Sequence, residues 1–316
     1  MSALPRRDRA ALAMAASWLG ERFFRTFRPA DLDVDPAPFD ALLMQRDRRV
    51  GVTVAPLWDA EAPAPGASAF VSLLSEDVAE GGYVVWVPTG AQLPVDEPQR
   101  SGYRLIFERG LRGLAAGERR EVRIPAILRL AKIEAEGAYV SVAGGLASRW
   151  TDLSEGVGGA FHLDSRSIHR LPEEEAEVAI VLSRVRDRAA LLNPEEVTEV
   201  HVHDTWTVSR LPIDEPSGVT VIAAPPDIDA KDGTLVRRTL RRAVRRASEQ
   251  RAASDVDFSV LLLEAPLAHM SDELATSSLR GMSPAAYSNI DSILLVADGR
   301  VREVLQPRQR PWERDR

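Results

Sequence analysis

The chain has 316 residues, no cysteine, and 40 basic against 47 acidic residues, for a formal net charge of −7. A chain this long buries about three quarters of its unfolded surface and needs no disulfide or metal staple. The lack of cysteine excludes a disulfide framework, a thiolate zinc site, an iron–sulfur cluster and a cysteine nucleophile, and it fits a reducing, cytoplasmic compartment. The acidic balance excludes a uniformly basic nucleic-acid binder, so any polyanion site must be a local patch. Only Lys132 and Lys231 are lysine, an arginine bias that suggests a GC-rich bacterial genome and leaves two candidates for any catalytic lysine.

Residues 7–27 read as a helix, because Leu12, Ala16, Leu19, Phe23 and Phe27 recur at three- and four-residue spacing, and Pro29 ends the pattern. The apolar part of this segment carries Trp18, Glu21 and Arg22 and has no small-residue cleavage site, unlike a signal peptide. No run of 18 apolar residues follows, so no membrane span is expected. An acidic loop with Asp31, Asp33 and Asp35 has calcium-like spacing but lacks the Gly at position six and the Glu at twelve of an EF-hand. Residues 39–44 and 50–54 predict a strand hairpin. A loop is expected over 59–67, a helix over 68–79 and a buried strand over 83–87.

The stretch 95–214 has a different texture. Short apolar clusters at 122–124, 138–142 and 178–182, bounded by Gly or Pro, predict a β-rich middle. After Pro216 the pattern predicts a strand at 219–223, a helix at 234–251, a strand at 258–263 and a short helix at 271–280. Strands at 290–296 and 301–305 follow, closed by Asp298-Gly299, a type I′ turn signal. The expected organisation is an α/β core built from residues 1–94 and 215–306, a middle domain or insertion over 95–214, and a disordered tail over 307–316.

The order helix, strand with an early aspartate, hairpin partner, then strand–helix–strand resembles the PD-(D/E)XK, or restriction-endonuclease-like, superfamily. The resemblance implies a mixed sheet core in which a helix Glu, a strand Asp and an acid-x-Lys on the next strand surround a divalent metal. Such a metal activates water against a phosphodiester. The matching positions here are Glu21, Asp40 and, in VGVTVAPLW, Thr53 and Ala55. Threonine stands where the family has a carboxylate and alanine where it has lysine. The resemblance therefore implies a nuclease-like fold whose metal site has been lost or moved, with no cofactor and no catalysis.

Three sites carry the functional expectations. Glu21, Asp40 and Thr53 are vestigial candidates; the plainer roles for the two acids are a helix-boundary glutamate beside Arg25 and a strand-end aspartate paired with an arginine. In EVHVHDTW, His201 and His203 share a strand face, with Asp204 adjacent, a geometry suited to a metal-dependent hydrolase if a third ligand exists; otherwise they decorate a half-exposed strand. In VRRTLRRAVRRASEQR, Arg237, Arg238, Arg241, Arg242, Arg245 and Arg246 crowd one broad face opposite Val236, Leu240, Ala243 and Ala247. Arginine forks suit phosphate, so this helix points to nucleic acid or an acidic protein partner; the plainer role is a solvated face neutralised by acids such as Glu173–Glu175 or Glu195 and Glu196. A structural or adaptor subunit of a bacterial multiprotein assembly, with the β-rich middle making the contacts, is the competing class. No P-loop, G-x-S-x-G elbow or Rossmann glycine spacing is present.

Overall fold

The computed structural model describes residues 4–30, 32, 37–58, 64–76, 80–94, 96–213, 215–225, 233–266 and 277–305. The chain is α/β with two mixed sheets. It divides into two compact units, one made of Met1–Arg120 and Thr207–Arg316 and the other of Glu121–Trp206. Segments from the two ends of the chain thus fall in one unit. The expected tail, the aspartate cluster at 31–35 and most of the helix expected at 271–280 lie outside the described residues.

The first unit starts with helix α1 (Arg6–Phe23), whose buried side is mostly alanine: Ala10, Ala11, Ala13, Ala15 and Ala16, flanked by Leu12 and Leu19. Small side chains let the helix backbone lie close to its neighbours. The helix is one turn shorter than its sequence pattern. The chain leaves it at Phe24 in the left-handed region (φ 53°), so Phe24 is exposed while Phe27 still reaches the same core from outside the helix.

Next come strands β1 (Arg28–Ala30), β2 (Ala41–Gln45) and β3 (Arg48–Pro56), with β2 and β3 forming the expected antiparallel hairpin, Leu43 opposite Val50. Strand β3 continues the sheet in parallel with a later strand, β10 (Phe258–Glu264), Val52 beside Val260. A further parallel strand, β11 (Ser292–Ala297), and the antiparallel β12 (Arg300–Leu305) complete it. Asp298 and Gly299 turn between the last two at φ 53° and 69°, the positive values a type I′ turn requires.

Alternation along β3 distributes its side chains to two faces. Val50, Val52 and Val54 meet α1; Thr53 and Ala55 point the other way, toward helix α6 (Gly233–Ala252) and the short helix α7 (Pro284–Tyr287). Gly51 also lies on that second face, directly under the ring of Phe39. On the far side of α1 lie β4 (Gly82–Trp86) and the parallel β9 (Gly218–Ile222), which contribute Val84, Trp86 and Ile222 to the same core. Helices α2 (Ala67–Ser75) and α3 (Gln99–Leu111) join through Phe70, Tyr103 and Phe107.

In the second unit, β5 (Arg119–Glu134) pairs antiparallel with β7 (Gly159–Ser165), and β7 pairs in parallel with β6 (Ala138–Gly144). Strand β8 (Val197–Arg210) begins here and ends in the first unit, where Arg210 opposes Tyr83. Besides the short α4 (Trp150–Ser154), the unit holds a long helix, α5 (Glu175–Leu191). The strand-like reading of 178–182 is therefore corrected. Val178, Val181, Leu182, Val185 and Ala189 are buried at helical spacing, while Ile180 in the middle of the run is exposed. A five-residue apolar run does not separate the two periodicities; the longer pattern does.

The seat of Phe39 over Gly51 yields a stability prediction. A β-carbon at position 51 would overlap the buried Phe39 ring. Gly51→Ala is expected to cost about 1–3 kcal/mol, as overpacking does, measured as a lower urea midpoint at unchanged slope. Combining it with Phe39→Leu should recover part of the loss; an unchanged midpoint in Gly51→Ala alone would mean the ring moves freely.

Candidate functional site

Two polar regions flank the first unit's sheet. The first is centred on Asp40. Its backbone N–H donates to the Val52 carbonyl (3.1 Å), which fixes the residue at the entrance to β2. Its carboxylate accepts the Val54 N–H at 2.8 Å and the guanidinium of Arg246 at 2.6 Å. Arg246 also donates to the Val54 carbonyl, so one guanidinium ties the hairpin to α6. Burial pushes the Asp40 carboxyl above its ordinary range; Arg246 and the Val54 N–H oppose this, and nearby Asp8 adds to it.

Thr53 is fully buried beside this pair and donates to Oε1 of Gln250. Ala55 lies in the apolar packing under α6 with Val236 and Leu240. The structure therefore brings Asp40 and Thr53 together. It does not bring Glu21 to them. Glu21 is exposed near the end of α1 and accepts a hydrogen bond from Ser17 at 3.2 Å. The α1 residue near Asp40 is Asp8, thirteen positions earlier, which at 1.5 Å per residue is about 20 Å along the helix axis.

The sequence reading also missed a buried carboxylate. Glu264 ends β10 and is fully buried. Its Oε2 accepts from Nε of Arg7 at 2.8 Å, and the same guanidinium holds Asp8 at 2.9 Å and lies 5.3 Å from the centre of the Trp58 ring. Its Oε1 is buried with no hydrogen-bond partner among the described residues. Burial, partly offset by Arg7 and reinforced by Asp8, raises the Glu264 carboxyl to about 8. A charge closing the unbroken apolar run of SVLLLE was the available signal.

The second region is the outer face of α6. The helix turns Val236, Leu240, Ala243, Val244 and Ala247 inward, and Arg237, Arg238, Arg241, Arg242, Arg245 and Arg246 are exposed. Arg246 is taken by Asp40, Arg245 faces Glu249 at 3.8 Å, and Arg237 donates to the Gly233 carbonyl. Arg238, Arg241 and Arg242 meet no acid among the described residues. Like charges four apart repel by about 0.2–0.5 kcal/mol per pair.

His201 and His203 do share one face of β8, with Val200 and Val202 packed on the other. Asp204 does not join them. It is buried, accepting from the backbone N–H groups of His169 and Arg170 (both 2.9 Å), from the Trp206 indole (3.0 Å) and lying 3.0 Å from Nδ1 of His169. His203 is lowered from its ordinary value by burial and by Arg184 and Arg123, cations that also disfavour a metal ion. Among the described residues no three His, Asp or Glu side chains converge to hold a metal, and no helix is long and apolar enough to cross a membrane.

No family model, curated protein or solved structure matches this chain. The geometry alone carries the functional argument.

Glu264 gives a pH prediction. Its folded carboxyl, at about 8, holds a proton more tightly than the ordinary value of 4.5. The folded chain then binds more protons than the unfolded one between these values, so stability falls as pH rises through that window. Wild type should lose melting temperature between pH 5.5 and 8.5, and Glu264→Gln, which cannot titrate, should lose less. Parallel curves for the two proteins would rule out a proton on Glu264.

Proposed function

We propose that this chain is a nuclease-like protein without catalysis that binds nucleic acid through the arginine face of α6. One observation carries the reading: Arg238, Arg241 and Arg242 are exposed on one helix with no acid beside them among the described residues. The repulsion among them is relieved by an external polyanion, and guanidinium forks suit phosphate oxygens.

The nuclease-like part rests on the arrangement around Asp40. A strand aspartate at the head of a hairpin, with helices on both faces of the sheet, supports the restriction-endonuclease-like resemblance. In that comparison, Arg246 supplies positive charge to Asp40 where the family has a metal, and Thr53 and Ala55 supply neither ligand nor lysine. A guanidinium stays protonated and cannot activate water at neutral pH.

The test is a salt titration of binding to a short oligonucleotide. Each phosphate contact adds roughly 0.7–0.9 to the slope of log K against log salt. Replacing Arg238, Arg241 and Arg242 together by Ala should weaken binding and lower that slope by about 2–3. Absence of any binding at about 50 mM salt, a concentration at which phosphate contacts are strong, defeats the reading. Magnesium-dependent cleavage that vanishes in Asp40→Ala would defeat its non-catalytic half.

A second reading, an adaptor subunit, is favoured by the exposed aromatic side chains of the second unit, Tyr139 at 65% and Trp150 at 55% exposure. Stoichiometric co-purification lost in Tyr139→Ser/Trp150→Ser, with no oligonucleotide binding, would put it first.

A further inference from the structure

A groove of about 510 Å³ runs along α6 beside the 281–286 segment, within the size range of small-ligand sites. Its wall is apolar, through Val244 and Met282; Arg241 and Arg245 stand along it, and Ser248 and Glu249 add polar groups. These groups ask for different things. Arg241, with no acid beside it among the described residues, calls for an anion, whereas Arg245 already faces Glu249 at 3.8 Å. A carboxylate cannot accept from an anion and calls for N–H donors. An apolar wall calls for a ligand face that gains by leaving water. Inorganic phosphate meets only the first demand, and an alkyl carboxylate only the first and third. A nucleotide meets all three, since its phosphate, its N–H-bearing edge and its planar face belong to one unit.

We infer that this groove receives an unstacked nucleobase, so that the nucleic acid bound along α6 is single-stranded. The inference rests on the reading of α6 as a nucleic-acid face and adds to it. In a duplex the phosphates reach the arginines, but the bases are stacked and paired within the helix and leave the groove unfilled. In a single strand a base turns out of the stack at the cost of little structure. Arg241 then holds a flanking phosphate, and Ser248 and Glu249 meet its edge.

The experiment is fluorescence anisotropy with one labelled oligonucleotide presented three ways: single-stranded, annealed to its complement, and single-stranded with abasic sites at its centre. The single strand should bind about tenfold more tightly than the duplex, the scale of one stacked base. The abasic strand, which keeps every phosphate, should fall to the duplex level. Ala286→Trp, which places an indole in the groove from an exposed position, should erase the preference while leaving duplex affinity unchanged. Arg238→Ala/Arg242→Ala should weaken strand and duplex alike. Duplex binding equal to or tighter than single-strand binding overturns the groove assignment and leaves the α6 reading standing, as does full affinity of the abasic strand. Absence of binding by any oligonucleotide at low salt overturns both. Poly-glutamate that displaces the strand at equal charge concentration overturns both in favour of an acidic protein partner.

Discussion

The ion pair between Asp40 and Arg246 ties the β2–β3 hairpin of the first unit to helix α6. Asp40 sits at the mouth of the β2–β3 hairpin and Arg246 on the helix across the sheet, and their contact at 2.6 Å, part-exposed on both sides, fits a helix rotation set by the buried apolar stripe. With 3.6 residues per turn, the side chains at 242 and 238 fall on the same row as 246, and those at 245, 241 and 237 on the next row. Arg246 reaches Asp40 from the rim of the exposed face, and the other arginines of both rows are exposed as well. The apolar stripe of Val236, Leu240, Ala243 and Ala247 agrees with that rotation. Packing specifies one orientation, and the charged face is its consequence.

The same sheet carries a second charged contact of another kind. Arg7 reaches Glu264 from the first turn of α1, where the carboxylate has almost no access to water. Burying an ion pair costs more desolvation than an exposed pair, and a carboxyl so placed gains by keeping its proton. Asp40 is raised for the same reason, more gently, because the hairpin mouth is partly open and a backbone N–H helps hold the charge. Sheet topology sets both positions. Parallel strands β3 and β10 end together at Pro56 and Glu264, and antiparallel β2 starts at that same edge. The ends of parallel strands are where open α/β sheets place polar chemistry. Here that edge is filled by the protein's own arginines.

Much of this was legible in the sequence and some was not, for identifiable reasons. The hairpin was legible because its two strands are adjacent and alternate in polarity, and the last turn because Asp298-Gly299 accepts positive φ. Helix α6 was legible because its apolar stripe and arginines are both periodic. Local pattern suffices wherever the partner is near in the chain. The contact of Arg7 with Glu264 spans 257 positions, and no periodicity encodes it. Glu21 is the helix acid that the family resemblance selects, and nothing in the sequence points to Asp8. Which end of the helix meets the hairpin depends on how the chain returns, not on the stripe. The 178–182 run was misread because its five residues satisfy strand and helix alike; only Val185 and Ala189 further on decide for the helix.

Charge accounting at the Asp40 site bears on why recognition and catalysis separate on the proposed reading. A divalent ion would bring two positive charges, open coordination positions and a bound water of lowered pKa. Arg246 brings one charge, spread over a plane, with hydrogen-bond donors already used on Asp40 and the Val54 carbonyl. It satisfies the carboxylate and leaves nothing with which to polarise a phosphoryl group. A chain that keeps such a fold can still hold phosphates, provided the attraction comes from elsewhere on the same element. On the proposed reading helix α6 supplies it: Arg246 meets Asp40, and the other exposed arginines of the same helix offer the charge. On that reading the net charge of −7 makes the α6 face a local patch set against an acidic overall balance.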